Sequence, residues 1–368
     1  MGMQKSEMFR ALTTFLGVII GAGIFAIPYV VAKSGVVIGM VYLIFLGLII
    51  TLISLYLGEI VLRTKERHQL SGLAEKYLGE KGKWVMYAAV FFSLYGALFA
   101  YVQGAGIVLV SLLGLKQELG AYLFFMVFAF VLALRFQIFE KFEEIFTSLK
   151  VIAVIGISIV ALFFMHPKNL TQIHWSAFFL PYGIILFALT GVSAIPEMVT
   201  EVRKKVIIYG MALTVIIYAL FMIATIGVLG ENAGEVTTVA LGEKLGNGML
   251  VLLEVFTLLA LATAFVGLGF ALKENYMLDF KMQKNKAWVL VIGIPLLLLV
   301  TGVKGFAKVL EWNGVIGIGV MFLLILVMHV RAKKVGKRIP EFTMPDWKWL
   351  KILIAFVICA AVVYELIV

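Results

Sequence analysis

The sequence predicts an all-α polytopic membrane protein, arranged as two blocks of five spans with an eleventh span appended. Three observations predict it. Of 368 residues, 63% are hydrophobic and only 14% charged, and the mean hydropathy is +1.08; soluble domains average about 45–50% apolar and about 25% charged. The apolar residues gather into eleven runs, each close to the roughly 20 residues that a helical span requires. Finally, the tripeptide Ala-Ile-Pro occurs at 26–28 in the first run and at 194–196 in the sixth, behind glycine in both.

In chain order the runs fall near 10–33, 35–62, 84–114, 119–135, 145–165, 177–200, 205–230, 247–273, 287–302, 308–330 and 349–367. Residues 1–368 thus form one transmembrane domain: a first repeat at 10–165, a second at 177–331, and the extra helix. The first run lacks a small-residue cleavage pattern and many spans follow it, so it reads as a span rather than a removable signal. Two connections are longer. Residues 64–83, TKERHQLSGLAEKYLGEKGK, mix charged and apolar positions as a helix at the interface does. Residues 231–248 read as a small helical cap on the opposite side.

Lys and Arg set the orientation. With the N-terminus inside, the inside segments outweigh the outside ones by about four to one in these residues. The N-terminus is therefore expected in the cytoplasm and the C-terminus outside, in the cell membrane. The net charge of +10 then belongs to cytoplasmic loops facing anionic lipid rather than to a nucleic-acid surface. The single cysteine, Cys359, lies in the last run, so no intrachain disulfide is available.

The first run holds GVIIGAGIFAIP, residues 17–28. Three glycines and a proline are poor material for an uninterrupted helix. The second Ala-Ile-Pro stands at the corresponding place of the second block, which an odd block size turns upside down. Gly and Pro in one span alone are explained by close packing or a kink. Two interrupted spans at matching positions of inverted repeats point instead to a transporter with its site near the midplane. Backbone groups in hydrocarbon must be paired, so a break is tolerated where it faces a cavity or ligand. Half-helix N-termini offer N–H groups and a positive dipole end to an anion, and preceding carbonyls suit a cation. A zwitterion such as an amino acid fits both.

These residues resemble a known family. GVIIGAGIFAIP resembles the first-helix signature of the amino acid/polyamine/organocation transporter superfamily, and FALTGVSAIPEMVTEV, 187–202, its sixth-helix signature. LATAFVGLGFALKENYMLD, 261–279, is similar to the eighth helix of the amino acid/auxin and hydroxy/aromatic amino acid permeases. The resemblance implies the LeuT-type fold of five plus five inverted spans, discontinuous helices 1 and 6, and alternating access. It implies that the N–H groups of Ala22, Gly23 and Ile24, after Gly21, meet a substrate carboxylate. The carbonyls of Ile19, Phe187 and Thr190 would take the α-ammonium, Phe187 would gate the site, and Gly191 would mark where span 6 unwinds.

Lys150 stands roughly a turn inside the fifth run, and an ionisable residue within a span is a functional candidate by default. The resemblance implies that a lysine in FTSLKVIAVIG, 146–156, stands where other members hold sodium. The eighth helix agrees: Thr263-Ala264 replaces the usual Thr-Ser and removes one hydroxyl ligand. Lys150, Thr263 and Gly17 are the expected coupling site, with proton-coupled symport as the first expectation and sodium symport or exchange as alternatives. The competing reading of Lys150 is a side chain that snorkels to the interface.

Tyr101 and Gln103 in the third run are candidates for lining the substrate path. Glu59, Glu197, Glu201, Glu254 and Glu311 are the acidic candidates; Glu197 and Glu201 fit loop salt bridges, whereas Glu254 lies deep in an apolar run. His68, His166, His174 and His329 show no metal-ligand spacing, so no metal or other cofactor is expected. A channel would need a polar lining or charge rings, and a membrane enzyme would need clustered His, Asp or Glu; the sequence offers neither. A sensor on the same fold remains the rival from another class. The expected function is secondary active transport of neutral amino acids by a protein for which a monomer suffices, because Ala22, Phe187 and Thr190 supply no side-chain charge.

Overall fold

The computed structural model describes residues 5–134, 136–197 and 204–367, and among them only helices and their connections occur. The first span is split into α1 (Lys5–Ile19) and α2 (Gly23–Ser34), and residues 11–19 and 23–34 are bent by 51°. Gly35, at φ 104°, turns the chain into α3 (Val36–Leu62), a backbone setting that a side chain would strain. The expected interfacial helix begins at Leu70 rather than 64 and runs directly into the third span as α4 (Leu70–Leu113); Gly79, at φ 78°, breaks the two parts. α5 (Gln117–Ala133) and α6 (Phe136–Leu162) complete the first block.

The sixth span is likewise interrupted, as α7 (Pro181–Ala188) and α8 (Ala194–Glu197). α9 (Lys204–Leu229) follows. The expected cap is a 3₁₀ turn, Gly230–Asn232, and α10 (Thr237–Leu245). Then come α11 (Asn247–Asp279), α12 (Lys284–Val300) and a tenth span made of α13 (Phe306–Trp312), a π-helical turn at Asn313–Ile318, and α14 (Gly319–Val335). α15 (Lys348–Ile367) ends the chain. By length and composition six helices can each cross a membrane, and the bent α1–α2 pair makes a seventh. The other four expected spans correspond to α5, α6, the α7–α8 pair and α12.

α11 packs on α4 and α10, α9 on α3 and α6, and α2 on α7, which places the two interrupted spans side by side. At one end of the bundle a buried polar array joins α3, α14, the connector after it, and α15. Glu59 and His329 are 0% exposed. Glu59 accepts from Arg63 Nε at 2.8 Å, His329 Nε2 at 2.8 Å and the Met344 N–H at 2.6 Å. Lys351 donates to His329 Nδ1 at 2.7 Å and to Asp346 at 2.5 Å. An acceptor at Nδ1 fixes the tautomer that donates through Nε2, so each member is matched and the carboxylates alternate with cations. Tyr56 stacks on the His329 ring at 4.3 Å. The sequence reading assigned His329 no role; its position inside an apolar run was the available signal.

Candidate functional site

The first break spans residues 20–22. The Ile20 N–H still reaches Leu16 O at 2.8 Å, the Gly21 N–H turns back to Ile19 O at 2.9 Å, and Phe25 opens α2 by donating to Ala22 O at 3.1 Å. Ala22 caps α2 without a side-chain hydrogen bond, so the first amides of α2 present a helix N-terminus at the break. The second break spans 189–193. Thr190 N–H closes on Phe187 O at 3.1 Å and Ala194 N–H restarts the helix on Gly191 O at 3.2 Å. The Thr190 hydroxyl donates to Leu186 O at 2.6 Å.

Small residues let the breaks meet. A Cβ on Gly23 would sit 2.6 Å from Ala188 Cα, and one on Gly191 would collide with the Ile19 side chain. Tyr218 of α9 fastens both segments: its buried hydroxyl lies 2.9 Å from Ile19 O and 3.1 Å from Ala188 O, a single donor shared between two carbonyls. Ile19 O therefore already faces two donors, Tyr218 and the Gly21 N–H. The sequence reading missed Tyr218, because a tyrosine within an apolar run gives no sign of which backbone it will reach.

Beside the breaks lies a cavity of about 60 Å³, room for roughly five waters at about 10–15 Å³ each. Of the predicted substrate residues, Ile19, Gly21, Gly23, Tyr101, Phe187 and Thr190 line it. Ala22, Ile24 and Gly191 do not; they are buried in the packing between the broken helices. Gln103 is also outside the wall, donating to Val303 O and accepting from Gln117. The rest of the wall includes Ser93 and Leu94 of α4, Ser193, Leu268, and Ile318 and Met321 of the tenth span. Among the described residues, all lining side chains are uncharged. The π-helical turn reaches this wall through Ile318 and through Asn313, which donates to Ser93 O at 2.7 Å; such turns often mark functional positions.

Lys150 is 7% exposed and points inward, with Nζ 3.4 Å from Ile20 O in the first break. This excludes the snorkelling reading. α6 approaches α1 here, since a Cβ on Gly17 would lie 2.6 Å from Thr147 Oγ1. Thr263 donates to Ala260 O of its own helix at 3.1 Å, while Ala264 is the α11 residue that faces Gly21. The expected trio is thus split: Lys150 of α6 and Gly17 of α1 lie where those two helices meet, and the Thr263 hydroxyl is bound within α11. The side chains of Glu197 and Asp279, and residues 198–203 with Glu201, lie outside the described residues. No group of His, Cys, Asp and Glu able to hold a metal occurs among the described residues.

The model of the tryptophan/tyrosine permease family matches residues 4–366. The chain belongs to the tryptophan/tyrosine permease family. It is a multi-pass membrane amino acid permease and not an enzyme. Glutamine transporter 2 of Aliivibrio fischeri is 25% identical to this permease, over 89% of this chain and 90% of that protein. The low affinity tryptophan permease of Proteus vulgaris is 23% identical, over 93% and 90% respectively. Among solved structures, MhsT in complex with L-phenylalanine superimposes with a TM-score of 0.69 at 16% identity, covering 99% of this permease and 98% of MhsT. The permease has the LeuT-type fold that the resemblance of its first, sixth and eighth spans implied.

Proposed function

We propose that this permease carries neutral amino acids, aromatic ones among them, across the cell membrane by alternating access, as a proton-coupled symporter. The observation that carries the reading is the cavity between two interrupted helices, walled by Gly21, Gly23, Thr190 and Phe187 and, among the described residues, by no charged side chain. A carboxylate is matched by the amide-bearing start of α2, and an ammonium by carbonyls at the ends of α1 and α7. An amino acid with a charged side chain would lack a partner in this wall, at the cost that burying an unpaired charge carries. The names of the family and of the relatives agree on class: glutamine, tryptophan and tyrosine are all uncharged in the side chain.

Proton coupling is supported by Lys150. Its ammonium reaches the Ile20 carbonyl in the break, so gain or loss of one proton changes a contact made directly to the segment that would hold substrate. The orientation, with the N-terminus in the cytoplasm, follows from the Lys and Arg distribution. A thermal-shift panel of the twenty amino acids on the purified permease tests the substrate class, because a ligand stabilises in proportion to how well it binds the folded state. Tryptophan, tyrosine, phenylalanine or glutamine should give the largest shifts. Larger shifts with aspartate, glutamate, lysine or arginine would reject the neutral class. Uptake into proteoliposomes should respond to an imposed pH gradient with no sodium gradient present; dependence on sodium alone would reject proton coupling.

A further inference from the structure

Glu254 of α11 is the buried charge that the site above leaves unused. It is 1% exposed, and its Oε1 has no hydrogen-bond partner among the described residues. Its surroundings are apolar or already satisfied. Leu253, Thr257, Ala260 and Leu261 are buried with it along one face of α11, as the three- and four-residue spacing requires. Thr257, on that face, donates its one hydroxyl proton to Leu253 O at 2.7 Å, and its oxygen lies 2.7 Å from the Thr238 hydroxyl of α10, which can donate to it. Phe256 packs its ring against Phe25 of α2, with centroids 5.9 Å apart. Thr257 places the Glu254 face beneath the α10 cap, while Phe256, two positions on, packs against α2 from another face of α11. Farther along the same face, Ala264 meets Gly21 and Leu268 lines the cavity. Ten residues of helix separate Glu254 from Ala264, about 15 Å along the axis.

Among the described residues, the charged groups of the neighbouring elements are engaged elsewhere or stand clear. α4 carries no charged residue beyond Lys83. Glu243 and Lys244 of α10 are exposed, as are Lys284 and Lys286 of α12, which stand at the opposite end of α11. Glu118 of α5 pairs with Lys304, Lys33 of α2 with the Tyr29 hydroxyl, and Lys308 of α13 with Glu311 and Glu365. On α6, Lys150 reaches Ile20 O, and on α11 itself Lys273 donates to Leu132 O. Oε1 of Glu254 is thus a buried polar atom left without a donor, an arrangement that costs free energy as it stands. A carboxyl group kept there, in a helix that touches both break and cavity, is suited to gain a proton in one conformation and release it in another where water or a cation reaches it.

We propose that Glu254 is a proton-carrying side chain of the transport cycle, on the α10 side of the substrate cavity. This rests on the proton-coupled reading given above. The test uses full-length protein in proteoliposomes with L-tryptophan as probe, and compares accumulation driven by a pH gradient with tryptophan–tryptophan exchange under no gradient. Glu254→Gln, an uncharged isostere, should lose gradient-driven accumulation and keep exchange, and Glu254→Asp should recover a response to the gradient. If Glu254→Gln accumulates tryptophan like wild type, the proposal is overturned while proton coupling stands. If it loses exchange as well and Glu254→Asp rescues neither, Glu254 is a packing residue and the proposal again falls. A wild-type protein that exchanges tryptophan but ignores the pH gradient would instead overturn the coupling reading, and this one with it.

Discussion

Two buried carboxylates of this permease sit in opposite settings, one surrounded by donors and one with an oxygen left bare. Glu59 accepts three hydrogen bonds from three different parts of the chain, and the His329 that donates one is itself held by Lys351. Glu254 has an oxygen with no partner in an apolar wall. The same chemical group, buried to the same degree, is in one place a joint and in the other a liability. The difference teaches where the molecule is built to stay and where it is built to change. The Glu59 array ties α3 to the tenth span and to α15, whereas Glu254 and Lys150 lie on helices that border the breaks.

The sharpest way to break this comparison is to remove Glu59. Glu59→Ala leaves Arg63, the Met344 amide and His329 facing a hole, and breaking one partner of a buried charged array costs about 3–5 kcal/mol. The melting temperature of the detergent-solubilised protein should fall steeply. Glu254→Gln should change it little, because no hydrogen bond of Oε1 is lost. Equal losses from the two substitutions would mean that Glu254 has a structural partner after all.

Much of the region around the breaks was legible in the sequence, and most of the Glu59 array was not. Glycine and proline spacing located both breaks, because a helix interruption is a local event written in local residues. The inward placement of Lys150 followed from its position in an apolar run. By contrast Tyr218, Asn313 and the Glu59–His329–Lys351 array depend on which helices become neighbours. Glu59 and His329 are 270 positions apart, and the Met344 amide belongs to a connector that reads as an ordinary polar loop. No periodicity within a span encodes such a meeting. The separation of Thr263 from Lys150 was hidden for the same reason: a threonine hydroxyl can bond its own helix backbone, and spacing alone does not say which choice it takes.

Tyr218 tests the boundary between the two regions with a smaller effect. It is buried and satisfied like Glu59, yet it holds carbonyls of both interrupted spans. Tyr218→Phe removes the hydroxyl and keeps the ring, so stability should drop by about 1 kcal/mol, the net worth of a typical hydrogen bond. The substitution also releases Ile19 O from one of its two donors. If that carbonyl receives the substrate ammonium, tryptophan binding measured by calorimetry should be retained or tightened. A tenfold weakening, about 1.4 kcal/mol, would show that the hydroxyl sets the binding geometry instead of competing with it.

The smallest expected effect lies at the rim of the satisfied region. Asp346 precedes α15, and its hydrogen bond from Lys351 holds its carboxyl below the usual range; partial burial opposes this and loses. A group whose folded value is depressed contributes stability above its unfolded value, about 3.9 for Asp, and loses it as the pH falls through the folded value. Wild-type protein should therefore show a shallow loss of melting temperature between neutral pH and about pH 4, growing steeper below it. Lys351→Met removes the depressing partner, so the part of the acid limb that belongs to Asp346 should flatten, on a lower baseline because His329 Nδ1 also loses its donor. The effect is modest because Asp346 is 31% exposed at the side chain and water screens part of the pairing. An acid limb unchanged by Lys351→Met would place the depressing charge elsewhere and would separate Asp346 from the array that Glu59 anchors.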